Sequence, residues 1–248
     1  MSQYAEQVGF AAGTLIGTRV DVTGSTPVRF GLLQDAQLDF SADLKQLYGQ
    51  NRYAMVMAPG KTKVELKAKF AGIRGGLFNS LYFGGTTAAT QTLFADSEAG
   101  TVPGSVAYTV TVSNSATFLS DQGVFYAATG LPLTKVTTLT AVGQYTVAAG
   151  VYTFNLGDAN KAIYISYTYS STSGLQIPIS NIKMGVGPSF QIVLSQPFDG
   201  RQATYTFNNC MAAKLSLPTK QDDFTINEMD FMIAADVAGN IGTINVSL

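Results

Sequence analysis

The chain has 248 residues, of which 46% are hydrophobic and only 12% are charged, and its formal net charge is −1. It has no histidine, and its one cysteine excludes an internal disulfide and a thiolate zinc site. Without histidine there is no Ser-His-Asp triad, no Cys-His dyad and no histidine-ligated metal. We therefore expect a protein without catalytic residues, metal or cofactor. The balanced charge gives no electrostatic reason for specific nucleic-acid binding.

The beginning of the chain and its hydropathy give no sign of export or of a membrane helix. Met1–Gly13 lacks a basic cluster followed by an apolar stretch, so we expect no secretory signal. No run of about eighteen apolar residues is present, so we expect no transmembrane helix.

Alternation of apolar and polar residues with a period of two predicts strands along most of the chain. The predicted strands are residues 35–41, 61–70, 105–112, 162–169, 190–194, 205–217 and 241–248. Asp199-Gly200 predicts a tight hairpin, and Ala238-Gly239-Asn240 predicts a turn. The apolar positions change from even to odd after Ile226, which predicts a β-bulge at Asn227–Glu228.

Helix signals are few and short. Ser41–Leu47 begins with a possible serine N-cap and ends before Gly49, which predicts one helix. Gly76–Phe83 places three apolar residues on one face and is followed by two glycines, which predicts a second. Pro59-Gly60 predicts a turn. The fold class is therefore all-β with one or two short helices.

Charge density divides the chain into three blocks. Only Asp121, Lys135, Asp158 and Lys161 are charged between residues 101 and 170, whereas both flanking blocks are closer to ordinary composition. We predict a discontinuous β-sandwich or β-barrel core from residues 1–100 and 171–248. Residues 101–170 would be a small, Ig-like β domain inserted into a loop of that core. One continuous β domain is the alternative.

Two segments are candidate interaction sites. The first is Tyr48–Pro59, which is either a strand in the subunit's own core or a mobile apolar arm that orders against a neighbour. Its candidate contact residues are Tyr48, Arg52, Tyr53, Met55, Val56, Met57 and Pro59.

The second is a strand whose charged residues all share one face. It is either the solvated face of a half-buried sheet or a surface for a partner. The charged residues of this strand are Lys61, Lys63, Glu65, Lys67 and Lys69. Four acidic residues near the C-terminus are solvated or pair with that face, and these are Asp222, Asp223, Glu228 and Asp230.

Two runs, Val28–Gly84 and Phe190–Val246, resemble the tail tube proteins of tailed bacteriophages. In the first run the shared features are FGLLQD from Phe30, LKQLYG from Leu44 and the lysine-rich strand that enters Lys69-Phe70-Ala71. In the second they are KLSLP from Lys214, DFTI from Asp223 and the C-terminal run Ala234–Ile244. The resemblance covers under half of the chain and leaves out the central block.

The resemblance implies a structural protein of the virion that is not an enzyme and is assembled in the host cytoplasm. Six subunits would form a ring, and stacked rings would form a tube through which the genome passes during DNA ejection. Its partners would be further copies of itself and other tail proteins, such as sheath, tape measure, terminator or baseplate. DNA would pass without specific binding, and the chain would not insert into a membrane.

Within that picture the lysine-rich face is expected to point outward or to pair with acidic residues of a neighbour, Lys67 with Glu228 being one pair. Lysines lining the lumen would hold phosphate too tightly. The alternative function is a carbohydrate-binding or adhesin module of the virion surface.

Overall fold

The structure is a computed structural model, and it describes residues 13–72 and 75–246. Apart from Gly13, the N-terminal segment Met1–Gly13 lies outside these residues. The described chain is mostly strand, so the predicted all-β class is confirmed. It divides into two compact units: unit 1 is residues 1–86 and 177–248, and unit 2 is Thr87–Gln176.

The elements follow one another in this order. The first part of unit 1 contains β1 (Thr14–Arg19), β2 (Val28–Arg29), β3 (Leu32–Tyr48), β4 (Ala54–Ala71), α1 (Gly75–Phe78) and a π-helical turn (Asn79–Phe83). Unit 2 contains β5 (Gln91–Thr101), β6 (Thr109–Thr111), β7 (Phe118–Tyr126), β8 (Thr134–Lys135), β9 (Gln144–Ala148), β10 (Val151–Phe154) and β11 (Ala162–Ser171). The chain returns to unit 1 with β12 (Phe190–Phe198), β13 (Arg201–Ser216), β14 (Ile226–Ala234) and β15 (Gly242–Val246).

The described strands of unit 1 form one antiparallel sheet in the order β2-β1-β12-β13-β14-β4-β3, and β15 also pairs with β13. One face of this sheet is apolar and packs around Phe30, whose ring meets Phe70 and Phe231 edge to face at 5.4 and 5.7 Å. Leu77 and Leu81 are buried in the same core. The predicted helix at Gly76–Phe83 is therefore confirmed as a helical segment that covers the sheet.

The Asp199-Gly200 hairpin is confirmed. The two residues join β12 to β13 with φ of 49° and 73°, the left-handed pair that a tight two-residue turn requires.

The predicted bulge at Asn227–Glu228 is wrong. β14 pairs with β4 without interruption from Ile226 to Ile233. The inward positions of β14 are Asn227, Met229 and Phe231, and all three are buried. The Asn227 side chain donates a hydrogen bond to the Gly72 carbonyl at 3.0 Å. The buried polar residue Asn227 therefore occupies the inward face of β14. Ile226, which the apolar pattern assigned to that face, lies on the other one.

Unit 2 contains two described sheets, β6-β10-β9-β8 and β5-β11-β7, which share one core. An insertion is present, but its predicted limits of 101 and 170 are wrong. β5 carries Asp96 and Glu98, so its composition resembles that of the charged flanking block. In the structure it pairs along its length with β11 and therefore belongs to unit 2. The predicted strand 105–112 is also shorter, because Ala107 and Tyr108 have positive φ and lie in a turn.

Tyrosine hydroxyls and a few carboxylates hold unit 2 together. Tyr145 and Tyr152 donate to the two oxygens of Asp121 at 2.8 and 3.0 Å. Tyr167 donates to Glu98 at 2.5 Å, and Tyr126 donates to Asp158 at 2.5 Å. All seven tyrosines between residues 101 and 170 lie in this unit. The low charge of the segment thus accompanies a core whose polar tips are satisfied internally.

We expect unit 2 to lose stability in acid. Burial opposes ionisation of Asp158, but hydrogen bonds from Lys161, Tyr126 and the Gly143 N–H hold the pKa of this carboxyl below its usual 3.8. Burial likewise opposes ionisation of Glu98, and Tyr167 and Ser113 hold its pKa below the usual 4.5. The stability that both carboxylates add is complete above those usual values and is lost as the pH falls through the lower folded-state values.

Melting temperatures measured from neutral pH to about pH 3 test this expectation. The variant Asp158→Asn should show a flatter acid limb than the parent, and Thr138→Ala, which changes an exposed uncharged side chain of the same unit, should not. An unchanged acid limb in Asp158→Asn contradicts the role given to this group.

Candidate assembly surface

The hairpin β3–β4 extends far beyond the rest of its sheet. β14 pairs with β4 only from Val64 to Ala71, so residues 54–63 of β4 pair only with β3 among the described residues. We call residues 41–63 the arm. Its ten residues of β4 span about 33 Å at the usual strand rise.

The predicted helix Ser41–Leu47 is wrong, because this segment is the outer part of β3. Ser41 lies opposite Lys63, and Leu47 lies opposite Val56. A helix here would have only Leu44 and Leu47 as an apolar stripe to pack against the protein. As a strand, the segment instead pairs its backbone with β4. Tertiary pairing overrides the local helix signal.

The predicted turn at Pro59-Gly60 is also wrong. Both residues lie within β4, opposite an irregularity in β3 between Ala42 and Leu44. Proline is tolerated at such a bulge because no ladder N–H is required of it. A Cβ at Gly60 would come within 2.9 Å of the Asp43 carbonyl oxygen, so the close approach of the two strands favours glycine. The chain reverses at Gly49–Tyr53 instead.

The candidate contact residues of the arm are exposed and do not belong to the subunit's own core. Tyr48, Tyr53, Met55, Val56 and Met57 are 56–79% exposed. Arg52 and Pro59 are exposed as well. The structure adds two residues that sequence reasoning missed, Leu44 and Leu47, which are equally exposed. They were not included because the sequence assigned them to a helix. Their apolar side chains, like those of residues 48–59, are the signal that could have identified them.

An uncovered arm of this composition is a poor monomer surface. A two-stranded ribbon is marginally stable at best in water on its own. We call residues 46–60 the distal arm. Arg52 is its one charged residue, so the distal arm has almost no charge to solvate it. Burying one such apolar side chain contributes about 1.5–3 kcal/mol. The arm therefore presents an apolar surface whose burial would be favourable.

The arm also leaves a long sheet edge open. β3 is the last strand in the sheet order and, among residues 13–72 and 75–246, pairs only with β4. An unpaired edge is a template for another strand, and proteins that stay monomeric blunt it with charges or cover it. The base of β3 carries such charges at Asp35, Asp39 and Asp43, but its distal part carries none after Lys45.

The charged face of β4 is a solvated sheet face with partners in its own chain. Val64, Leu66, Ala68 and Phe70 are buried on the opposite face, as the alternation predicts. The solvent side holds two ion pairs, Lys63–Glu65 at 2.5 Å and Lys69–Asp35 at 3.6 Å.

Two of the four acidic residues lie next to this face. Glu228 lies opposite Lys69, and Asp230 lies opposite Lys67, both on the neighbouring strand β14. Lys214 pairs with Glu228 at 3.4 Å. Asp222 and Asp223 lie in the loop after β13, where Asp223 pairs with Lys220 at 3.0 Å. The pairing of Lys67 with Glu228 across subunits stays a prediction.

We expect Lys67→Glu to destabilise unit 1 by about 0.5–1 kcal/mol, because it places two carboxylates directly opposite each other on one sheet. The second change Asp230→Lys should restore only part of the loss, since it reverses both charges but also places a lysine opposite Lys214. Denaturant unfolding of the monomer measures both effects. Lys45→Glu, opposite Ala58, is the matched control and should be neutral. A loss that Glu228→Lys restores and Asp230→Lys does not contradicts the register-based pairing.

Unit 2 presents a different surface on the outer face of its β5-β11-β7 sheet. Phe125 and Tyr164 lie side by side in register there, and Phe94 lies beside Thr168 on the same face. All three aromatic side chains are exposed. They lie among hydroxyl-bearing residues, with Ser120 bonded to Thr168 at 2.7 Å.

The helical turns in the described ranges are too short to cross a bilayer. A scan of the chain against protein-family models gives no match, and a search of curated proteins finds no relative. Functional inference therefore depends on the surfaces described above and on the resemblance of the two flanking runs.

Proposed function

We propose that this chain is the tail tube subunit of a tailed bacteriophage, a structural virion protein that forms stacked hexameric rings. The observation that carries the proposal is the distal part of the arm, residues 46–60, an apolar ribbon with one charged residue that is exposed on both of its faces in the single chain. A second copy of the chain is the partner that every copy has available in an assembly.

Three further features support the proposal. The edge of β3 provides a strand for pairing between subunits, which would close the sheets of one ring into a continuous barrel. The lysine-rich face of β4 would point away from the lumen, where lysines would hold phosphate. The resemblance to tail tube proteins lies within unit 1, at Val28–Gly84 and Phe190–Val246, and includes no part of unit 2.

Electron microscopy of the concentrated protein tests the proposal. Hollow tubes or rings with six-fold symmetry are the expected result, and particles that remain monomeric at all concentrations overturn it. The variant in which residues 89–175 are replaced by a short Gly-Ser linker provides a second test. Ala88 and Gln176 exchange two backbone hydrogen bonds at 3.1 and 3.0 Å, so a short linker can join them. We expect this variant to form thinner tubes with the same ring symmetry.

The second candidate function is a carbohydrate-binding or adhesin module, favoured by one observation. The exposed aromatic residues Phe94, Phe125 and Tyr164 share a sheet face of unit 2 with hydroxyl groups, a chemistry that suits sugar rings. Binding of the chain to a glycan array, abolished by Tyr164→Ala, is the expected result if this function holds. An array without signal removes this candidate and leaves the tube proposal intact.

A further inference from the structure

The β5-β11-β7 sheet of unit 2 has a bulge on each side of Ser166. On β5, Asp96 and Ser97 together lie opposite this single residue of β11. On β7, Gln122 is an extra residue at the same level. Ser97 has φ of 57°, in the left-handed region that residues with a side chain rarely adopt. Bulges bend a strand and redirect its side chains, and both bulges and strained residues are frequent at functional sites.

The two bulges bring polar side chains together at the centre of the outer face. The Ser166 hydroxyl donates to Asp96 Oδ1 at 3.2 Å, and the Ser97 hydroxyl donates to the same oxygen at 3.1 Å. Asp96 is exposed, and its Oδ2 accepts no hydrogen bond from the described residues. Gln122 and Ser120 add two exposed polar groups, joined by a hydrogen bond of 2.9 Å. The centre therefore holds a carboxylate in place and leaves one of its oxygens open to a ligand.

Aromatic rings lie at both ends of this polar centre. Phe94 lies beside Thr168, which is four residues along β11 from Tyr164, or about 13 Å at the usual strand rise. At the other end, Phe125 lies beside Tyr164. A Cβ at Gly123 would lie 3.7 Å from the Phe125 ring, so this ring lies along the sheet above the glycine. Phe125 is still 37% exposed, so part of its flat surface faces solvent.

The charges of unit 2 favour an uncharged ligand on this face. Asp96 is the one charged side chain that points outward from β5, β7 and β11, all of whose residues the structure describes. The two lysines of the unit are already paired. Lys135 pairs with Asp121 at 3.2 Å, and Lys161 pairs with Asp158 at 2.8 Å. An acidic ligand would therefore meet a carboxylate without a counter-charge, whereas a ligand with hydroxyl groups can donate to Asp96.

We propose that this face binds an uncharged oligosaccharide of at least two linked sugar units. Sugar rings pack on the aromatic side chains at the two ends, and sugar hydroxyls donate to Asp96 at the centre. A single pyranose ring is shorter than the separation of Phe94 from Tyr164, so only a linked chain contacts both ends. A protein partner would favour a continuous apolar patch, whereas hydroxyl groups separate the aromatic rings here. The inference rests on the carbohydrate-binding candidate above and names its ligand class.

A glycan array with matched length and charge series tests the ligand class. The probes are neutral homo-oligosaccharides from the single sugar to the pentasaccharide, and chains of the same lengths that carry uronic or sialic acid. The full-length chain is applied to both series. We expect a neutral series in which linked chains bind about tenfold or more tighter than the single sugar, because they contact both aromatic ends. The acidic chains should bind more weakly than neutral chains of equal length.

Three substitutions in the full-length chain locate the binding on this face. Asp96→Asn keeps the shape of the side chain and removes its charge, and we expect binding about tenfold weaker. Phe94→Ala removes one aromatic end and should abolish the gain in affinity with chain length. The control is Val151→Ala, which changes an exposed side chain on the other sheet of unit 2 and should bind as the parent does. The melting temperature of each variant shows whether it is folded.

The outcomes separate this inference from the candidate function. Glycan binding that is lost in Tyr164→Ala but unchanged in Asp96→Asn and Phe94→Ala overturns the inference and leaves the carbohydrate-binding candidate standing. A preference for acidic chains, or an equal loss in Val151→Ala, has the same consequence. Folded parent protein that binds no glycan of either series overturns both the inference and that candidate.

Discussion

If the proposed function holds, we expect the double variant Val56→Asp, Met57→Asp to remain monomeric under conditions in which the parent protein assembles. The two substitutions place charges on both faces of the distal arm, since Val56 and Met57 point to opposite sides of β4. A desolvated charge without a partner is costly in an interface, and an alanine change at a central contact alone costs 2 kcal/mol or more. Since every copy carries the defect, we expect sedimentation velocity to show loss of all assembly.

The melting temperature of the monomer should not change in this variant, because both side chains are exposed in the single chain. The control is Val237→Asp, which adds a charge at a fully exposed valine in the turn after β14. It should assemble as the parent does. A variant that is monomeric and also melts earlier would show that the arm supports the fold of unit 1, and assembly of the double variant contradicts the role of the arm.

We expect Asp121→Ala to cost unit 2 about 3–5 kcal/mol of unfolding free energy. The Asp121 carboxylate accepts hydrogen bonds from the hydroxyls of Tyr145 and Tyr152, and both tyrosines are buried. Without this carboxylate two buried hydroxyls lose their acceptor, which is the expensive half of breaking a hydrogen bond. Lys135 also pairs with Asp121 at 3.2 Å, but its exposed ammonium adds little.

Denaturant unfolding followed by tyrosine fluorescence measures this effect, since the chain has no tryptophan. Adding Tyr145→Phe and Tyr152→Phe to Asp121→Ala should recover part of the loss, because the unsatisfied donors are removed with their acceptor. Thr138→Ala, which changes an exposed side chain of the same unit, should cost less than about 1 kcal/mol. An Asp121→Ala cost as small as that control would show that the tyrosines find water or other acceptors.

The tyrosines also explain the composition of the inserted unit. Unit 2 needs few charges because its polar requirement is met by hydroxyl groups whose rings fill the core. The rings of Tyr145 and Tyr152 stack at 5.7 Å, and their hydroxyls donate to Asp121. Burial first, and then the hydrogen bonds to Asp121, raise the pKa of both phenols, so they keep their protons through the ordinary pH range.

Period-two patterns were sufficient wherever a strand has one buried face. Val64–Phe70 alternates strictly, and the structure buries the apolar set and leaves the charged set half-buried or exposed. Asp199-Gly200 was sufficient for a hairpin because the turn requires left-handed backbone at both residues. In these places the local sequence and the fold call for the same structure, so one strand or one turn can be predicted without its neighbours.

The period-two pattern gave wrong predictions in two situations. In one, neither face of the element is buried, and in the other, a buried position holds a polar residue. The outer part of β3 has no inward face, so its alternation carried no information and its capping signal predicted a helix. Asn227 is buried and polar, which reversed the apparent face of β14 at Ile226. Leu44 and Leu47 also have no core contact, so the sequence pattern did not identify them as members of the arm.

From the sequence alone one could derive the all-β class, the existence of an inserted segment and the apolar, uncharged character of residues 48–59. These follow from composition and short-range periodicity, which depend on a residue and its near neighbours. Only the tertiary structure decided that residues 41–63 form an overhanging ribbon, that β5 belongs to the inserted unit, and that Asp96 and Ser166 meet between two bulges. Each of these depends on which distant strands pair and on what remains exposed afterwards, and long-range pairing leaves no signal in a local pattern.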